Sequence, residues 1–124
     1  MDDKWFPSDS KAQARVDEYL EWQHLNTRSF VSRYFASILM PQMLGLKEPS
    51  EKFTKHCEKN LQKMLDDFER VFLKRGDFIA GDRISIADLI AAAELEQPSK
   101  FNIVEITYKI LLLHAVTSNA NILV

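Results

Sequence analysis

A chain of 124 residues, 46% hydrophobic and 27% charged, has the make-up of one globular domain and is long enough to close a single core. Its net charge of −2 offers no basic excess for nucleic acid or an anionic membrane surface, and its one cysteine excludes an internal disulfide framework, so a reducing, cytoplasmic setting is expected. Three glycines and four prolines leave room for few turns and long elements, so the class expected is all-α.

The first segment, MDDKWFPSDS, has no apolar core of the kind a signal peptide needs. Trp5 to Pro7 should run extended, and Ser10 with Gln13 has the spacing of a capping box. Nothing from there to Met40 breaks a helix, and Pro41 is expected to end it, giving a rod of roughly 45 Å. Val16, Leu20, Val31, Phe35 and Leu39 follow helical spacing, but QHLNTR interrupts that face with polar residues. Ser50 should cap a second helix, in which Phe53, Cys57, Leu61, Met64, Leu65, Phe68, Val71 and Phe72 form an amphipathic stripe. Gly76 has the position of a C′ residue, after Lys74 and Arg75. Two long antiparallel helices joined by a short loop begin a bundle.

The stretch FIAGDRISIADLIAAAEL carries far more punctuation than one helix start requires. Ser85 and Asp88 form an S-x-x-D capping box, and Ile84 and Leu89 have the spacing of a hydrophobic staple. The run after Leu89 is almost all apolar, as in a helix at the centre of a core. A buried helix start has no water for its first amides, and an orphaned buried donor costs about 1–3 kcal/mol, so the chain must supply acceptors. Pro98 should end this helix. The tail FNIVEITYKILLLHAV reads as helix, too short and too charged for a membrane span.

Chemistry is sparse. His24, His56 and His114 lie on different elements without ligand spacing, so no metal site is expected. Cys57 sits on the apolar stripe and reads as a buried, inert thiol. Met40, Met43 and Met64 read as core filler. No glycine-rich phosphate loop or Ser–His–Asp arrangement is present. One polar feature has two readings. Trp22, Gln23, His24 and Arg28 fall where the apolar face lapses, which suits a solvated strip. Arg28, Ser32 and Ala36 also share one face at fourfold spacing, as a pocket wall would.

FIAGDRISIADLIAAAEL resembles the capping-box-and-staple segment of the C-terminal domain of cytosolic glutathione S-transferases. WFPSDSKAQARVDEYLEWQHLNTR is similar to the first long helix of that domain in the theta class, with insect-type enzymes nearest, and ELEQPS resembles the end of its central helix. The likeness runs from about Trp5 to Ser99. It implies a linker remnant over residues 1–8, a helical domain over 9–99, and a divergent tail over 100–124, truncated or misspliced. Members also carry a thioredoxin-like domain that binds glutathione and activates its thiol. The resemblance implies that this chain starts where that domain would end.

The resemblance implies that the helical domain walls the electrophile pocket and contributes to a homodimer contact. Arg28 would lie near the glutathione sulfur or a product anion, and Ser32, Ala36 and Gln97 would line the electrophile side. An aspartate that in some members touches glutathione from the neighbouring subunit is matched here by Leu25. No catalytic residue is expected in this chain and no cofactor, with glutathione as co-substrate, a small hydrophobic electrophile as its partner, and no nucleic acid. The fragment alone should be inactive. Helical domains of this type also occur as non-catalytic assembly modules, as in elongation factor gamma subunits; Arg28 favours the transferase.

Overall fold

Of the 124 residues, the computed structural model describes Asp3 and residues 5–100, the side chains of 96–100 excepted. The tail read as helix lies outside them.

Helix α1, Ser10–Leu25, opens one residue earlier than the Ser10–Gln13 box implies. Asp9 is its N-cap, its carboxylate accepting the Ala12 amide at 3.0 Å while its carbonyl accepts that of Gln13. The long first rod is not continuous. Asn26 leaves helical geometry (φ −122°, ψ −89°), and its side chain donates to the Trp22 carbonyl at 2.9 Å. A short amide side chain that competes for backbone partners is a natural place for such a break. The polar interruption in QHLNTR is therefore a joint between two helices.

Helix α2, Thr27–Tyr34, runs into a π-helical turn at Phe35–Leu39 and then into α3, Met40–Leu44. Pro41 does not end the helix, contrary to the sequence expectation. The chain widens just before it, with the Met40 amide reaching back to the Phe35 carbonyl, and passes through the proline inside the first turn of α3. Gly45 ends the rod instead, at φ +65°, a conformation that side chains with a Cβ resist. Exposed Met40 and Met43 are not core filler; of the three methionines so read, Met64 alone is buried.

Helix α4, Glu51–Phe68, begins as its sequence says, with the Ser50 hydroxyl accepting the Phe53 amide at 3.2 Å. It continues through a π-helical turn at Glu69–Leu73. Its pairing with α1 and α2 is antiparallel: Glu18 meets Arg75, Tyr19 meets Phe72, and Tyr34 meets Glu58. The centre of the core is aromatic. Tyr19 and Phe72 stand edge to face at 5.1 Å, and Trp22 lies 5.0 Å from Phe72. Gly76 is not the left-handed residue expected after α4. A Cβ there would run into the main-chain carbonyl of Gly81, so glycine is needed for close approach of two backbone strands.

The last described element is α5, Ile86–Lys100, which passes through Pro98 where the sequence expectation ended it. Ala87, Ala91, Ala92 and Leu95 are buried on it, as the apolar run predicts. The architecture is an all-α bundle. Among the described residues the only strand-like pairing is the tight turn in which Phe78 and Gly81 exchange both main-chain hydrogen bonds at 3.0 Å.

Candidate functional site

The start of α5 gathers acceptors from two parts of the chain, Trp5 and the Ser85–Asp88 turn. The Trp5 carbonyl accepts the Ile86 amide at 2.8 Å, which gives the WFP segment its structural role. The Ser85 carbonyl accepts the Asp88 amide at 3.1 Å. Asp88 Oδ2 accepts the Ser85 amide at 2.8 Å and the Ser85 hydroxyl at 3.1 Å. Half of the expected capping box is thus present: the acid reaches back, but the serine hydroxyl donates to it instead of accepting an amide. Asp88 Oδ1 takes the Ile79 amide at 2.9 Å, a bond that the box does not foresee. Ser85 and Asp88 are fully buried. Burial pushes the Asp88 carboxyl above the usual carboxylate value, against the pull of these donors. Ile84 and Leu89, the staple pair, are both half-buried.

Arg28 stands near the start of α2 with its side chain about half exposed. Its Nε donates to Glu94 Oε1 on α5 at 3.2 Å, and its Nη1 lies 3.4 Å from His24 Nδ1, one turn back. This pair bridges the first rod and the central helix. Arg28 is therefore more than a solvated charge. Glu94 is mostly buried, its Oε2 has no hydrogen-bond partner, and burial raises its carboxyl pKa even with the guanidinium alongside. The Tyr19 hydroxyl donates to the buried Thr27 hydroxyl at 3.4 Å, and burial raises the phenol pKa strongly.

The other expected pocket residues are less gathered. Ser32 and Ala36 are solvent-exposed, and Ala36 lies inside the π-helical turn. Gln97 lies on α5, its side chain outside the described residues. Glu94 was missed, although an acid ending a run of alanines on a buried helix is a signal that a cation stands opposite. Gln23, read as part of a polar strip, is buried, while Leu25 beside it is 80% exposed. Cys57 is buried as expected, and burial raises its thiol pKa, which keeps it a poor nucleophile. Among the described residues no group of three or more metal-ligating side chains could hold an ion, and no helix is long and apolar enough to cross a membrane.

The sequence and the fold have known relatives. Residues 34–121 match the family described as glutathione S-transferase, C-terminal domain. The chain belongs to that family. Its curated relatives include glutathione S-transferase theta-1 of Gallus gallus, 44% identical over 97 residues covering 77% of this chain and 37% of the relative. Theta-1 of Mus musculus is 40% identical over 100 residues, covering 77% of this chain and 40% of the relative. The chain thus spans well under half the length of these theta-class transferases. Among solved structures, apo human glutathione S-transferase T1-1 superposes with a TM-score of 0.81 at 31% identity, over 97% of this chain and 51% of that one. A human theta-class transferase in complex with the glutathione conjugate of 1-menaphthyl sulfate superposes at 0.75 and 29% identity, over 94% of this chain and 48% of that one. The all-helical bundle is that of the transferase C-terminal domain.

Proposed function

We propose that this chain is the helical half of a theta-type glutathione transferase, with the insect-type first helix its sequence suggests, and that it walls the electrophile site. The observation that carries this reading is the Arg28–Glu94 pair. A cation projecting from α2 is tied by its Nε to a mostly buried acid, which fixes its direction while half of the side chain stays open to solvent. A guanidinium held this way is suited to stabilising a thiolate or a product anion, because its donors are oriented before charge develops. The reaction joins the glutathione sulfur to an electrophilic carbon, with the bonding electrons leaving on the displaced group. Ser32, Ala36 and Gln97 would line the electrophile side, and glutathione would be held mainly by a thioredoxin-like domain. A homodimer contact and a cytoplasmic location belong to the same reading. So does inactivity of the 124-residue chain by itself.

The test is to fuse the chain behind a theta-class thioredoxin-like domain and compare the parent with Arg28→Ala. Turnover should fall about tenfold or more, roughly 1.4 kcal/mol in barrier, without loss of the fold. Unchanged turnover in a folded fusion would return Arg28 to a purely structural role. Conjugation by the 124-residue chain alone would overturn the division of labour.

A further inference from the structure

The guanidinium of Arg28 is engaged at two of its nitrogens and free at the other. Nε donates to Glu94 Oε1 at 3.2 Å, Nη1 lies 3.4 Å from His24 Nδ1, and Nη2 has no partner among the described residues. A guanidinium has no acceptor, so in its contact with the imidazole Arg28 can only donate. His24 Nδ1 is therefore the bare nitrogen, and the ring proton sits on Nε2. The other tautomer, or the charged ring, would set two donors against each other.

The contact spans a joint in the chain. His24 lies in the last turn of α1 and Arg28 in the first turn of α2, with Asn26 outside helical geometry between them. His24 is exposed, so packing does not call for an imidazole there. Glu94, by contrast, comes from α5 and is mostly buried, a fixed acceptor. A planar group held at Nε alone still turns about that bond. Held at Nη1 as well, it keeps one orientation, as a two-point contact enforces. At 3.4 Å the imidazole contact exceeds the usual range of about 2.7–3.2 Å, so it contributes direction more than energy.

We propose that His24 is a positioning residue for Arg28. Its neutral ring accepts from Nη1 and, together with Glu94, leaves Nη2 presented to the anion at the reacting sulfur or on the displaced group. This role rests on the transferase reading of Arg28; the His24–Arg28 contact does not.

The experiment has two arms. In the 124-residue chain at about pH 8, where an imidazole is ordinarily neutral, nitrogen NMR should show separate Nη1 and Nη2 signals for Arg28. His24→Leu should merge them by freeing rotation of the guanidinium. His24→Asn should keep them apart, because its side-chain oxygen takes the place of Nδ1 and accepts in the same way. Merged signals in the parent, or signals still separate in His24→Leu, would overturn the contact and the proposal with it. In the fusion with a thioredoxin-like domain, His24→Leu should lower kcat about threefold, the low end for one lost hydrogen bond, with the KM for glutathione little changed. His24→Asn should recover most of that loss, and melting curves show that each variant folds. Parent turnover in His24→Leu, or an equal loss in both variants, would overturn the positioning role while leaving the transferase reading in place. Unchanged turnover in Arg28→Ala would instead overturn that reading, and this role with it, even where the NMR contact is seen.

Discussion

Asp88 Oδ1 accepts the main-chain amide of Ile79, nine residues upstream, at 2.9 Å inside the core. One carboxylate therefore both starts α5 and fixes the turn that precedes it. The same turn is held from the other side by Arg15, whose Nη1 donates to the Ala80 carbonyl at 3.2 Å.

That dual role sets an order among variants. In an ordinary capping box the serine side chain is costly to remove, about 1 kcal/mol. Here Asp88→Ala strands two buried amides and should cost about 2–4 kcal/mol. Ser85→Ala removes a hydroxyl that only donates to Asp88, and should cost about 1 kcal/mol. Asp88→Asn should also destabilise, since one amide oxygen cannot serve donors on both sides. Denaturant unfolding of the three variants checks the order; a larger loss for Ser85→Ala than for Asp88→Ala would refute it.

Glu94 titrates above its usual value of 4.5 in the folded chain because burial outweighs the attraction of Arg28. A raised native value means that the folded state binds this proton more tightly than the unfolded state does. The stability it contributes is thus full below the unfolded value and is lost as pH rises through the native one. Arg28→Ala removes the opposing cation and should raise the native value further, extending that loss to higher pH. Carboxyl carbon shifts followed through an acid titration give the value directly; a fall in Arg28→Ala would contradict the pairing.

Gly76 and Gly45 should respond differently to alanine. At Gly45 nothing lies within reach of an added Cβ, and the cost comes from its φ of +65°, about 1 kcal/mol. At Gly76 the added carbon meets the main chain of Gly81, which cannot swing aside as a side chain could. Gly76→Ala should cost about 2 kcal/mol or more and open the 76–85 loop to limited proteolysis. Equal melting temperatures for the two variants would count against this account.

Met64 and Met43 offer a control on where the core lies. Met64 is 2% exposed and Met43 64%. Met64→Ala should cost about 2–5 kcal/mol, whereas Met43→Ala should stay within about 0.5 kcal/mol. Thermal unfolding of the pair suffices, and comparable losses would place α3 inside a contact that the described residues do not contain.

The sequence by itself determined the all-α class, the stripe along α4, the Ser50 cap and the importance of Asp88. It also carried the likeness to the transferase helical domain. Apart from that likeness, which runs along most of the chain, these features are written in local spacing, of apolar residues three and four apart or of a serine and an acid, and need no distant partner. The tertiary structure alone decided the rest. The break at Asn26, the passage of the chain through Pro41 and the exposure of Met40 and Met43 depend on what packs alongside. The partner of Gly76 is a backbone strand on the far side of a turn. At the candidate site, Arg28 was visible as a cation on an interrupted face, but its direction was not. That direction is set by Glu94, 66 residues away, which comes within 3.2 Å only when α5 packs against α2. Hydrogen bonds and ion pairs reach a few ångströms in space, whatever the separation along the chain, so partners of this kind are fixed only once the helices are packed.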